Sequence, residues 1–127
     1  MAVKFLSEEW AEQLTAALNA RESFKAAAAG KKARLQQVIT GESPTRYWIV
    51  IDDGTIDMGL GNLEPPVDAT ITQSYETAVG LAQRTVNPVT GFMLGKIKVE
   101  GNMGMLMGLT GVLQELPEAM ATVETEY

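Results

Sequence analysis

NPVTGFMLGKIKVEGNMGMLMGLTGVLQEL, running from Asn87 to Leu116, changes its hydrophobic period twice, and those changes decide the fold. Asn87 is a good helix cap, and Pro88 suits the first helical position, where a missing N–H costs nothing. Gly91-Phe92-Met93-Leu94-Gly95 makes this opening helix a short apolar turn bracketed by glycines. Lys96-Ile97-Lys98-Val99-Glu100 then alternates between polar and apolar, the period of a strand with one buried face. Gly101-Asn102 turns the chain into a second helix that is apolar on almost every side.

With about 3.6 residues per turn, Gly104, Gly108 and Gly111 share one narrow stripe of that helix. Met105, Leu106, Leu109, Val112, Leu113 and Leu116 spread over the opposite side, with Met103 and Met107 flanking. A glycine inside a helix costs roughly 0.5–1 kcal/mol relative to alanine, so the stripe requires a compensation. Two are open. Another helix or the sheet approaches closely, or the stripe is a groove beside adaptable methionines that accepts an apolar guest.

Working outward, residues 7–29 read as one amphipathic helix. Ser7 caps it, Glu8 and Glu9 complement its dipole, and Gly30 ends it. Trp10, Leu14, Ala17, Leu18 and Phe24 or Lys25 trace its apolar face. Residues 33–73 are strand-forming. Ala33–Thr40 stops at the turn cluster Gly41-Glu42-Ser43-Pro44. Arg46–Ile51, aromatic and β-branched, has the composition of a central strand buried on both faces. Asp52-Asp53-Gly54-Thr55 is a hairpin turn, and Ile56, Met58 and Leu60 mark a half-buried strand that completes an antiparallel meander. Beyond Pro65-Pro66, Val67–Gln73 is a fourth strand with Ala69 and Ile71 inward, and Ser74 caps a helix from Tyr75 to about Arg84. Residues 74–116 thus hold helices and one strand. The tail, Pro117–Tyr127, is either a short helix acting as a lid on the apolar helix or a frayed terminus. The expected architecture is α+β: a single domain over residues 1–127, with helices against a mostly antiparallel sheet.

Charge and composition narrow the function. The net charge of −6 and a pI near 4.6 argue against nucleic acid and against bulk attraction to anionic membranes. Histidine and cysteine are both absent, which excludes the usual zinc sites, cysteine nucleophiles, disulfides and Ser-His-Asp triads. Asp52, Asp53 and Asp57 lack calcium-loop spacing and read as a solvated turn. Gly59-Leu60-Gly61-Asn62 is no phosphate cradle, because Pro65-Pro66 stands where a helix would have to begin. Neither a cofactor nor a metal is expected, and no catalytic residue is assigned. Met1-Ala2-Val3-Lys4-Phe5 has no secretory signal, residues 101–116 are too short for stable membrane insertion, and Thr125-Glu126-Tyr127 is not a Ser-Lys-Leu address. A cytoplasmic location is the expectation.

Asn87-Pro88, then Gly95-Lys96-Ile97-Lys98-Val99, then Gly101-Asn102-Met103-Gly104 resemble the signature of the sterol carrier protein type-two family. Asp68-Ala69-Thr70-Ile71-Thr72 is similar to the strand that precedes this signature, and the resemblance covers residues 30–116. It implies a five-stranded sheet covered by helices, with a hydrophobic tunnel that binds fatty acids, fatty acyl-CoA or sterols without performing chemistry on them. Combining that location with the apolar faces, Phe92, Met93, Met103, Leu106, Met107, Leu109 and Leu113 are expected to line the site. Ile49, Ile51 and Met58 supply its sheet side. Lys96 and Lys98 could meet a phosphate or CoA headgroup, or simply keep their strand soluble. The alternative is an accessory or assembly module of a lipid-metabolising enzyme, with its pocket empty or self-filled. Either way a homodimer or an enzyme partner fits the reading.

Overall fold

The computed structural model describes residues 2–127, with 88 and 89 described by their backbone alone. Met1, the first residue of the segment read above for a signal, lies outside the described residues. The chain opens with a two-residue strand β1 (Val3–Lys4), followed by helices α1 (Glu8–Asn19) and α2 (Glu22–Ala28). Ser7 caps α1 as expected, accepting the Trp10 N–H at 3.2 Å. The single helix expected over residues 7–29 is instead two, because Arg21 takes an extended backbone between them. The break has a use. It lets Trp10, Leu14 and Leu18 of α1 and Phe24 of α2 all be fully buried, with α1 on the sheet and α2 against a later helix.

Five strands follow: β2 (Lys32–Thr40), β3 (Thr45–Asp52), β4 (Thr55–Leu60), β5 (Ala69–Ser74) and β6 (Ile97–Gly101). Their order is β4-β3-β2-β5-β6, and every neighbouring pair is antiparallel except β2–β5. The hairpin from Asp52 to Thr55 uses positive φ at both Asp53 (+44°) and Gly54 (+89°), as an Asp-Gly turn should. Cross-strand register lines up Met58, Ile49, Leu35 and Ala69 in one row of the inner face. A second row holds Tyr47, Gln37, Ile71 and Val99. β3 is not buried on both faces: Tyr47, Ile49 and Ile51 are buried, while Trp48 and Val50 are only half-buried on the other face. Its aromatic and β-branched residues serve both faces, so composition conceals the alternation.

The parallel β2–β5 pair requires the chain to cross from one side of the meander to the other. Residues 61–68 do so over the outer face. Gln36 fastens them there, its Nε2 donating to the Gly61 carbonyl at 3.1 Å and its Oε1 accepting from Leu63 N–H at 2.7 Å. Arg34 donates to the Pro66 and Glu64 carbonyls at 2.8 and 2.9 Å.

After β5 come α3 (Tyr75–Ala82) and α4 (Pro88–Met93); after β6 come α5 (Met103–Gly108), α6 (Thr110–Met120) and a final strand β7 (Thr125–Glu126). Ser74, Asn87 and Asn102 act as caps, accepting from the N–H groups of Thr77, Thr90 and Met105. Gly101 is needed at its turn. Its φ is +113°, and a Cβ there would stand 2.5 Å from the Asp68 carbonyl oxygen.

Two expectations for this region change. The helix over 102–116 is split at Leu109, and its second half continues through Pro117 to Met120. The tail is not frayed: residues 117–120 extend the preceding helix instead of starting one of their own, and β7 pairs in parallel with β1, Val3 N–H donating to the Glu124 carbonyl at 2.9 Å. Phe5 then packs its ring against Trp10, Tyr75 and Tyr127.

Candidate functional site

The helices all lie over the inner face, but they do not cover it evenly. At the β4 end α1 packs down and closes the core. At the β6 end the sheet and helices stand apart around a cavity of about 760 Å³. That volume is within the roughly 300–1,000 Å³ typical of small-molecule sites.

The floor of the cavity comes from four strands: Gln37 of β2, Tyr47 of β3, Ile71 and Gln73 of β5, and Ile97 and Val99 of β6. One flank is Leu81 of α3 with the turn that follows it, Arg84-Thr85-Val86-Asn87. Phe92 of α4 and Met103, Leu106 and Met107 of α5 form the roof and rim, and α6 closes the other side through Leu113, Leu116, Pro117 and Met120. Arg84, in the left-handed region at φ +65°, ties the α3 turn to α6 by a 2.7 Å contact with Glu118.

The rim is apolar and exposed. Phe92, Met103 and Met107 face solvent there, Met93 and Leu94 are exposed outside the lining, and no charged residue occurs in 85–95 or 101–114. The floor is apolar with a polar centre. Burial raises the Tyr47 phenol above its ordinary value, so it stays protonated.

Of the residues expected to line a site, Phe92, Met103, Leu106, Met107 and Leu113 come together here. Met93 does not: it is 79% exposed, on the outside of α4. Leu109 is buried in the core at the α5–α6 junction and does not reach the cavity. Ile49, Ile51 and Met58 occupy the inner face as expected but at the wrong end, in rows roofed by α1. Lys96 and Lys98 are exposed and do not line the cavity; Lys98 sits opposite Thr72, on the outer face relative to Ile97.

The glycine stripe supports neither explanation considered for it. Gly104, Gly108 and Gly111 are exposed; a Cβ on Gly108 or Gly111 would meet nothing within 4 Å, and none of the three lines the cavity. Nothing in the structure explains why those positions are glycine.

The polar floor was missed by sequence reasoning, though a signal existed. Gln37 falls between Leu35 and Ile39, and Gln73 two residues after Ile71, both in the inward phase of their strands. A polar residue in an apolar phase marks a place where the core is not simply core.

The family model described as the SCP-2 sterol transfer family matches residues 5–114. This chain belongs to that family. It is 42% identical over 63 residues to Sterol carrier protein 2 of Gallus gallus, and 36% identical over 62 residues to Sterol carrier protein 2 of Bos taurus. Each match takes in 49% of this chain but only 11% of the relative, so the matched region is a small part of those proteins. A solved structure of sterol carrier protein 2 superposes with a TM-score of 0.84 at 18% identity, covering 94% of this chain and 99% of that one. The sterol carrier fold is therefore present over nearly the whole chain. No helix among the described residues is long and apolar enough to cross a membrane.

Proposed function

We propose that this chain is a carrier that binds one lipid in the cavity between the β5–β6 end of the sheet and helices α3–α6, and releases it without altering it. The observation that carries this reading is the cavity itself: a largely apolar space of about 760 Å³ whose only charged lining among the described residues, Arg84 and Glu118, forms a pair. Among the described residues of that lining none is arranged to attack or deprotonate a substrate, and membership of the sterol transfer family points the same way. Phe92, Met103, Leu106, Met107 and Leu113 would contact the apolar body of the cargo, and the methionines would adapt to its shape. Burying a chain of about sixteen carbons gains about 13 kcal/mol at roughly 0.8 kcal/mol per CH₂. Association and ordering costs of about 4–15 kcal/mol oppose it, so useful affinity requires a cargo that fills the space. Fatty acids and sterol-like molecules suit the cavity. The lysines once considered for a CoA headgroup lie away from it, which disfavours a CoA-specific contact.

Native mass spectrometry of gently purified protein, followed by organic extraction, tests the proposal. A bound fatty acid or sterol-like mass is the expected result. A protein that is empty and binds neither a fluorescent fatty acid nor an uncharged fluorescent apolar probe would overturn the carrier reading, leaving an assembly module that docks to a partner.

A further inference from the structure

Gln37 and Gln73 lie within the inner face of the sheet, 4% and 7% exposed, and both line the cavity. Their neighbours across the strands are largely apolar: Tyr47 and Ile71 flank Gln37, while Ile39 and Ile97 flank Gln73. Between the two amides there is a single hydrogen bond, Gln73 Nε2 donating to Gln37 Oε1 at 3.3 Å. Gln73 Oε1 has no hydrogen-bond partner among the described residues. Gln37 enters that bond through Oε1, and its Nε2 donates to no described residue. The pair therefore shows the cavity a buried acceptor with no donor, Gln73 Oε1, beside the free N–H groups of Gln37 Nε2. Turning both amides over leaves the same inventory, since each then exchanges its free atom with the other. Buried polar groups are almost always satisfied, and these two face the space a cargo would occupy.

We propose that Gln37 and Gln73 are the head-group site of the cavity: cargo enters polar end first, and its head is a neutral group that both donates and accepts a hydrogen bond, as a hydroxyl does. This rests on the carrier reading given above. A hydroxyl donates to Gln73 Oε1 and accepts from Gln37 Nε2, satisfying both amides at once. An ionised carboxylate or a phosphate can accept from the free N–H groups but leaves Gln73 Oε1 without a donor, and it finds no cation at the floor. The lining cation, Arg84, is at the partly exposed flank and already engaged by Glu118. The pair thus selects for an uncharged lipid alcohol held head-inward, with its tail toward the apolar rim of Phe92, Met103 and Met107.

The test compares 1-dodecanol with dodecyl methyl ether, which accepts but cannot donate, by displacement of a fluorescent apolar probe from the full chain. In the Gln37→Leu/Gln73→Leu variant, the alcohol-to-ether affinity ratio is expected to fall by about tenfold or more from its wild-type value. An unchanged ratio would overturn the head-group site while leaving the carrier reading in place. A second measurement needs no variant: the side-chain ¹⁵N–¹H₂ resonances of Gln37 and Gln73 are expected to shift when dodecanol is added. Resonances that stay in place while dodecanol binds would also overturn the proposal. If neither ligand displaces the probe or binds at all, the carrier reading itself falls.

Discussion

The indole of Trp48 lies over the bare Cα of Gly59, its partner across the β3–β4 pair, so closely that a Cβ on Gly59 would stand 2.4 Å from Trp48 Cζ2. Gly59→Ala must therefore displace the ring or bend the edge strand. A destabilisation of about 1–3 kcal/mol is expected, read from urea unfolding followed by tryptophan fluorescence. A midpoint equal to that of the wild type would mean that the indole swings aside freely.

The glycines of α5 and α6 should behave in the opposite way. Gly108 and Gly111 have open space where a side chain would go and no positive φ. Replacing each by alanine is expected to raise stability by up to about 1 kcal/mol, through helix propensity alone, and to leave lipid binding unchanged. Loss of binding in either variant would show that the stripe contributes to the site after all.

Asn19, the last residue of α1, makes two hydrogen bonds to one backbone residue on the exposed edge of the sheet. Its Nδ2 donates to the Ile56 carbonyl at 3.0 Å, and its Oδ1 accepts the Ile56 N–H at 2.9 Å. In effect the helix supplies the missing strand neighbour for one residue of β4. Asn19→Ala leaves that donor and acceptor without their partner and is expected to cost about 1–3 kcal/mol. Amide exchange at Ile56 should accelerate in the same variant; if it does not, the side chain is not what protects that edge.

Stability should also depend on pH at the alkaline end. Burial raises the Tyr47 phenol above its ordinary value in the folded chain. The unfolded chain gives up this proton first, at about pH 10, and the folded state keeps it. Folding stability from this group is therefore complete below about pH 10 and declines above it, by about 1.4 kcal/mol per pH unit. Tyr47→Phe should flatten that part of the profile relative to wild type. Parallel profiles for the two proteins would assign the decline to other groups.

Local signals in the chain were the legible ones. Ser7, Ser74, Asn87 and Asn102 stand where a side-chain acceptor meets free helix N–H groups, and each caps its helix. Asp53-Gly54 and the alternation in 96–100 likewise act over a few residues, so they gave the meander and β6 directly. What the sequence concealed depends on distant partners. The α1–α2 break has no glycine or proline to announce it, being set by the fit of Leu18 and Phe24 to the same core. The end of the inner face that α1 covers, and hence the exclusion of Ile49, Ile51 and Met58 from the cavity, follows from packing that no periodicity records. The strand at the end of the tail was missed for the same reason: its pairing with Val3–Lys4 joins opposite ends of the chain.

The cavity has one further consequence, for the lifetime of the protein. A core with a space of about 760 Å³ forgoes contacts that a filled core would make, and a bound molecule restores them. Any such molecule that binds only the folded chain adds about 2.7 kcal/mol to its stability when present at about a hundred times its dissociation constant. The share of time spent unfolded, when proteases can act, shrinks about a hundredfold with it. If the chain carries cargo as proposed, the amount of it that survives follows how much cargo is available, with no sensor beyond the gap in its own interior.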